Sequence, residues 1–214
     1  KKVFRTKNRP IASGKISVKL GIVYVLALCF CALLVLLNFN TITIILALVS
    51  MPLAFAYPLM KRFTYWPQLF LGITFNYGLL LGWTSVSQNL DIIPILLYIG
   101  AIFWTLGYDT IYGFQDIKDD EIIGLKSTSI KFKKKPYIFL FTCYFVLFLM
   151  IIVLGIFEKF NIFYYAFSLI IGYHLFYYQL KNVNLNDPVN CLKIFKSNNI
   201  LGFLVLVQLL IGKI

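Results

Sequence analysis

Between Tyr108 and Asp120 the chain reads Tyr-Asp-Thr-Ile-Tyr-Gly-Phe-Gln-Asp-Ile-Lys-Asp-Asp. On a continuous helix Asp109, Tyr112, Asp116 and Asp120 stand at i, i+3, i+7 and i+11, which at about 100° per residue gathers them within roughly 80° of arc. Carboxylates sharing a face repel one another unless a cation compensates them, and hard oxygen ligands suit Mg²⁺ better than zinc or copper. Asp109, Asp116 and Asp120 are therefore candidate metal ligands, with Tyr112 beside them. A competing reading makes Asp116, Asp119, Asp120 and Glu121 solvated loop acids next to Lys118 and Lys126. Asp109 resists that reading. It lies near the end of a run that is otherwise apolar from Ile92, where a carboxylate facing lipid costs about 2.5 kcal/mol or more, so it should face a bundle interior.

A second set, Tyr57-Pro-Leu-Met-Lys61-Arg62, places Tyr57 and Lys61 one helical turn apart. It adds the planar fork of Arg62, suited to phosphate or carboxylate oxygens. The alternative is a snorkelling lysine and an interfacial tyrosine that anchor a helix end. Arg5 and Arg9 form a third basic group near the start, readable as anion ligands or as a solvated membrane anchor. Acids that hold Mg²⁺ and bases that hold anions at one membrane face imply a phosphate-bearing ligand. His174, the only histidine, lies in an apolar run without a second His or Cys near it, and is expected to be a hydrogen-bonded interior residue.

The elements that must position these groups are membrane helices. Of 214 residues 60% are hydrophobic and 13% charged, with mean hydropathy +0.84, a balance that excludes a soluble globular domain, a disordered chain and a coiled coil. Apolar runs predict seven spans at about 18–37, 41–59, 66–86, 92–113, 136–156, 161–179 and 200–214. Pro52 inside the second predicts a kink, and Gly78 and Gly82 in the third have the spacing that lets another helix approach closely. Assigning the connections alternately to two sides puts 18 of the 20 basic residues on one side, leaving only Lys159 and Lys213 opposite. The positive-inside rule then places the N-terminus and the basic loops in the cytoplasm. That asymmetry accounts for the net charge of +12 without nucleic acid, for which no zinc or phosphate-loop spacing is present. The four cysteines read as small apolar residues, Cys191 within a basic loop, and not as a disulfide framework.

With these residues in view, the chain resembles the UbiA-type intramembrane aromatic prenyltransferases, most closely the branch acting on 4-hydroxybenzoate in ubiquinone biosynthesis. The resemblance rests on Lys2-Val-Phe-Arg-Thr-Lys-Asn-Arg-Pro-Ile-Ala-Ser-Gly14, on Tyr57 to Gln68, and on Tyr108 to Asp120 followed by Gly124-Leu-Lys-Ser-Thr128. Asp187 to Asn198 and Gly202 complete it. Trp66-Pro67-Gln68 after the Lys-Arg pair favours the hydroxybenzoate branch over the haem farnesyltransferases. The family fold has nine helices around a cavity in which two Asp-rich motifs hold Mg²⁺ on a polyprenyl diphosphate. The second motif maps onto Asp109, Asp116 and Asp120, and a diphosphate-binding Tyr-x-x-x-Lys element maps onto Tyr57 and Lys61.

The resemblance thus implies an all-α, multi-pass transmembrane bundle. Residues 1–214 would form a single prenyltransferase domain corresponding to helices 3 to 9, beginning just after the first Asp-rich motif. It implies Mg²⁺ as cofactor, polyprenyl diphosphate and 4-hydroxybenzoate as substrates, and the lipid bilayer as surroundings, with no obligate protein partner. It further implies a bacterial inner membrane, the site opening to the cytoplasm. The expected reaction is electrophilic aromatic substitution through an allylic cation, with Arg62 as partner of the benzoate carboxylate and Asp109 as cation stabiliser or base. Alternatives are another acceptor (homogentisate, a naphthoate, haem or a lipid) and, from a different class, a transporter or non-catalytic membrane protein in which Asp109 relays ions.

Overall fold

A computed structural model describes residues 8–213. Polar residues at the span boundaries start the helices by accepting N–H groups that would otherwise lack partners. Ser17 Oγ accepts from Leu20 N at 3.2 Å to open α1 (Val18–Leu36), and Asn40 Oδ1 accepts from Thr43 N at 3.0 Å to open α2 (Thr41–Ala56). Helix α2 runs through Pro52, tightens to a 3-10 turn at Tyr57–Leu59 and continues as α3 (Met60–Phe63). The third span is two helices, α4 (Pro67–Phe75) and α5 (Gly78–Ser87), separated by a turn at which Asn76 Nδ2 donates to Thr105 Oγ1 at 2.8 Å. The fourth, α6 (Ile92–Gly113), passes through a 3-10 turn at Phe114–Asp116 into α7 (Ile117–Ile123). A short α8 (Thr128–Lys131) leads to α9 (Pro136–Phe157). Next come α10 (Ile162–Gly172), a π-helical segment Tyr173–Gln179 and α11 (Leu180–Asn182), and the last helix is α12 (Pro188–Gly212).

Among the described residues six rods are long and apolar enough to cross a membrane: Val18–Leu36, Thr41–Phe63, Pro67–Ser87, Ile92–Ile123, Pro136–Phe157 and Pro188–Gly212. The remaining expected span is the helical rod 162–182, a third of which winds as π-helix. The protein is a multi-pass membrane bundle, with no strand among the described residues. Two expectations are corrected. The last helix begins at Pro188, not near residue 200: Asp187 accepts the Val189 N–H at 2.9 Å, and Cys191, Ile194, Ser197 and Asn198 are buried on its inner face. Hydropathy missed this stretch because its outer face carries Lys193 and Lys196, so Cys191 sits in a helix and not in a loop. Among the described residues Gly78 and Gly82 mark no close helix approach either; a Cβ at either would meet nothing within 4 Å.

Close approach occurs instead between α6 and α9, where a Cβ on Gly107 would lie 2.6 Å from the Tyr144 ring. Lipid tails are as apolar as leucine, so such a bundle is held by packing and interhelical hydrogen bonds more than by hydrophobic burial. Leu106, Leu147, Ile151 and Leu201 pack at its centre. A buried polar chain crosses it: Tyr144 Oη donates to Gln179 Oε1 at 2.6 Å, while Gln179 Nε2 and Trp104 Nε1 both donate to Asn198 Oδ1, at 2.9 and 2.7 Å. His174 is interior as expected and pairs through Nδ1 with Gln179 Nε2 at 3.3 Å.

Candidate active site

The α6–α7 rod carries the acids, and the 3-10 turn between its halves keeps them on one side. Asp109, Tyr112, Asp116 and Asp120 all line a single cavity of about 320 Å³, together with Gly113, Arg9, Tyr57, Lys61, Gln68 and Leu125. Other cavities are as large or larger, yet those between α1 and α2 are walled almost wholly by apolar side chains. Chemistry, not size, singles this one out.

The sequence brings the two sets together through specific contacts. Lys61 Nζ pairs with Asp120 Oδ2 at 3.1 Å; the carboxylate side chain is 5% exposed, the lysine 42%. Lys61 is also within electrostatic reach of Asp109, one α6 turn below Gly113. Gly124, at φ +77°, ends α7 in a left-handed turn that a glycine adopts without strain. The chain reverses there, so that Lys126 N donates to Lys61 O at 2.8 Å and Lys126 Nζ to Phe63 O at 3.2 Å. The adjoining ends of the second and fourth spans are thereby stapled. Behind the acid face, Thr128 N donates to Gln68 Oε1 at 3.0 Å, Thr110 and Thr128 share a hydroxyl contact at 2.6 Å, and Ser129 Oγ donates to Thr110 O at 2.8 Å. Gly113 makes room for this layer, since a side chain there would collide with Ser129 Oγ.

The structure places the expected residues unequally. Tyr57, Lys61, Asp109, Tyr112, Asp116, Asp120 and Arg9 converge on the cavity. Arg5 lies outside the described residues. Arg62 is exposed and does not line the cavity, because Tyr57 and Lys61 take the inward face and the next residue turns about 100° away. Among the described residues no three His, Cys, Asp or Glu side chains are grouped tightly enough to hold one metal ion. The reason is axial: seven residues separate Asp109 from Asp116, a rise of about 10 Å, against about 6 Å between Asp116 and Asp120. The three acids share a cavity but not a single ion. Asp116 and Asp120 remain as a pair of hard oxygen donors, the number that Mg²⁺ commonly takes from protein when phosphate oxygens complete its shell.

Sequence reasoning assigned no role in the site to Gln68 or to the α8 layer, although Gln68 and Thr128 lie in stretches that carry the resemblance, for their partners lie tens of residues away. It also missed an aromatic wall. Phe195, on the stretch of α12 read as loop, lies against Tyr112 (ring centroids 4.5 Å) and Tyr108 (5.6 Å), and Trp104 continues the wall beneath Tyr108 at 5.7 Å.

Several known proteins are similar to this chain. The mitochondrial 4-hydroxybenzoate polyprenyltransferase of Bos taurus is 40% identical over 215 residues, covering 100% of this chain and 58% of the relative. The Homo sapiens protein of the same name is 41% identical over 217 residues, with 100% and 58% covered. The 4-hydroxybenzoate geranyltransferase 2 of Lithospermum erythrorhizon is 40% identical over 218 residues, with 100% and 70% covered. The chain thus spans somewhat under three fifths of the length of its bovine and human relatives. A solved structure concerned with digeranylgeranylglyceryl phosphate synthase in membranes superposes with a TM-score of 0.72 at 20% identity, over 98% of this chain and 75% of that one, and shares the fold. The UbiA prenyltransferase family model matches residues 1–205, and the chain belongs to that family.

Proposed function

We propose that the protein transfers a polyprenyl group from a polyprenyl diphosphate to the ring carbon ortho to the hydroxyl of 4-hydroxybenzoate, with Mg²⁺, in ubiquinone biosynthesis. The observation that carries this reading is the convergence of Tyr57, Lys61, Asp109, Asp116 and Asp120 on one cavity in a family of prenyltransferases. The names of the relatives, 4-hydroxybenzoate polyprenyl- and geranyltransferases, support the choice of substrates.

The roles follow from charge and depth. Lys61 and Arg9 supply cationic donors, and Tyr57 a neutral one, for diphosphate oxygens at the mouth. Asp116 and Asp120 would hold Mg²⁺, which when bound offsets diphosphate charge and makes it a better leaving group. The allylic C–O bond breaks with its electron pair leaving on diphosphate. Tyr112, which lines the cavity and is backed by the ring of Phe195, offers a π face to the allylic cation. The ring carbon attacks, a C–C bond forms, and the proton lost from that carbon passes to Asp109, the carboxylate set deepest along the rod.

The basic asymmetry of the loops supports a cavity opening to the cytoplasm, and we place the protein in a bacterial inner membrane, whereas the animal relatives are named as mitochondrial. The test is prenyl transfer in membranes containing the protein, supplied with Mg²⁺, a polyprenyl diphosphate and 4-hydroxybenzoate. Prenylated hydroxybenzoate should form and fall by about a hundredfold or more in Asp116→Ala; a variant as active as the parent, or a parent that leaves both substrates intact, refutes the reading.

A further inference from the structure

Gln68 is 3% exposed, yet it lines the acid cavity. Its carboxamide is fixed in orientation, since the Thr128 backbone N–H at 3.0 Å needs an acceptor and only Oε1 can provide one. Nε2 is therefore turned toward Gly113, 3.3 Å from where a Cβ would stand. Gly113 itself lines the cavity, one turn beyond Asp109 and three residues before Asp116. A neutral N–H donor is thus held rigidly between the deep acid and the acid pair at the mouth.

We propose that Gln68 is a substrate-binding residue that donates a hydrogen bond to the carboxylate of the aromatic acceptor. The assignment rests on the reading above, and the choice of oxygen is chemical. Diphosphate oxygens already have Lys61, Arg9, Tyr57 and a hard cation. A donor on the acceptor's hydroxyl would withdraw density that this oxygen must push into the ring, opposing attack on an allylic cation. The carboxylate is the oxygen group that gains from a donor without cost to the reaction, and a bond to a charged acceptor is the stronger kind. Recognition of a carboxylate by Gln68 also fits the exposed placement of Arg62.

Two variants separate binding from architecture. Gln68→Glu keeps an oxygen for the Thr128 N–H and removes the donor, whereas Gln68→Met removes both. In calorimetric titration of 4-hydroxybenzoate into the detergent-solubilised protein, both should bind about tenfold or more weakly than the parent. In turnover, KM for polyprenyl diphosphate should stay within about twofold, while the kcat/KM preference for 4-hydroxybenzoate over p-cresol, which lacks the carboxylate, falls about tenfold. A purely architectural Gln68 would leave the preference for 4-hydroxybenzoate over p-cresol unchanged in Gln68→Met, which adds no charge to the cavity, and this result overturns the proposal. A parent that binds 4-hydroxybenzoate without turning it over refutes the proposed reaction but leaves the titration to judge Gln68. A parent that does not bind it refutes both.

Discussion

Replacing Gly113 by alanine tests whether the layer behind the acid face is as rigid as its hydrogen bonds imply. At Gly113 the α6 helix tightens, and Phe114 N–H turns to Ile111 O. The Thr110 carbonyl, which an undisturbed helix would pair with that N–H, receives Ser129 Oγ at 2.8 Å. A new Cβ collides with that Oγ, and Ser129 is fully buried, so the hydroxyl can escape only by rotating away from Thr110. The lost bond, and a buried carbonyl left unsatisfied, cost about 1–3 kcal/mol. Against this, alanine gains up to about 1 kcal/mol over glycine in helical backbone. The net should be about 1–2 kcal/mol of destabilisation, a Tm lowered by roughly 2–8 °C in detergent for a chain of this size. Ser129→Ala removes the obstructing atom, and in that background Gly113→Ala should be neutral or stabilising by up to about 1 kcal/mol. Thermal unfolding of the four proteins of this double-mutant cycle supplies the numbers. Equal cost of Gly113→Ala in both backgrounds would refute the reasoning, because the penalty would then come from something other than Ser129.

Two further outcomes concern the scaffold. Asn198→Leu should destabilise by about 2–5 kcal/mol in thermal unfolding, because Trp104 Nε1 and Gln179 Nε2 lose the acceptor they share; a change below about 1 kcal/mol would mean that water replaces the lost acceptor. Gly107→Ala should cost about 1–3 kcal/mol, since the Tyr144 ring that its Cβ would strike is anchored by Gln179. A Tm at or above that of the parent would show that α6 and α9 can separate freely.

The acids and bases of the site were legible because each constraint on them is local. Asp109 announces an interior face by its depth in an apolar run, and Tyr57 and Lys61 announce a shared face by standing one turn apart; both assignments place these residues in the cavity. Arg62 shows the limit of such reasoning. Adjacent basic residues look equivalent in a list, but a helix face has room for one of them, and the cavity decided which. Gln68 shows the converse: its carboxamide acquires a meaning only from Thr128 and Gly113, residues 60 and 45 positions away.

Span existence and the membrane class follow from the sequence alone, since the cost of apolar surface in water and of charge in lipid is paid residue by residue. The start of α12 does not, because its first turns are polar outside and packed inside, and the inner face becomes visible only when Cys191, Ile194 and Asn198 meet the rest of the bundle. Likewise the glycines at 78 and 82 have the spacing of a helix contact but face open space among the described residues, while at Gly107 and Gly113, with no spacing signature, neighbours press close. Periodicity along one helix fixes which residues share a face; what that face meets is decided by the other helices, through close packing and the need of every buried donor for an acceptor.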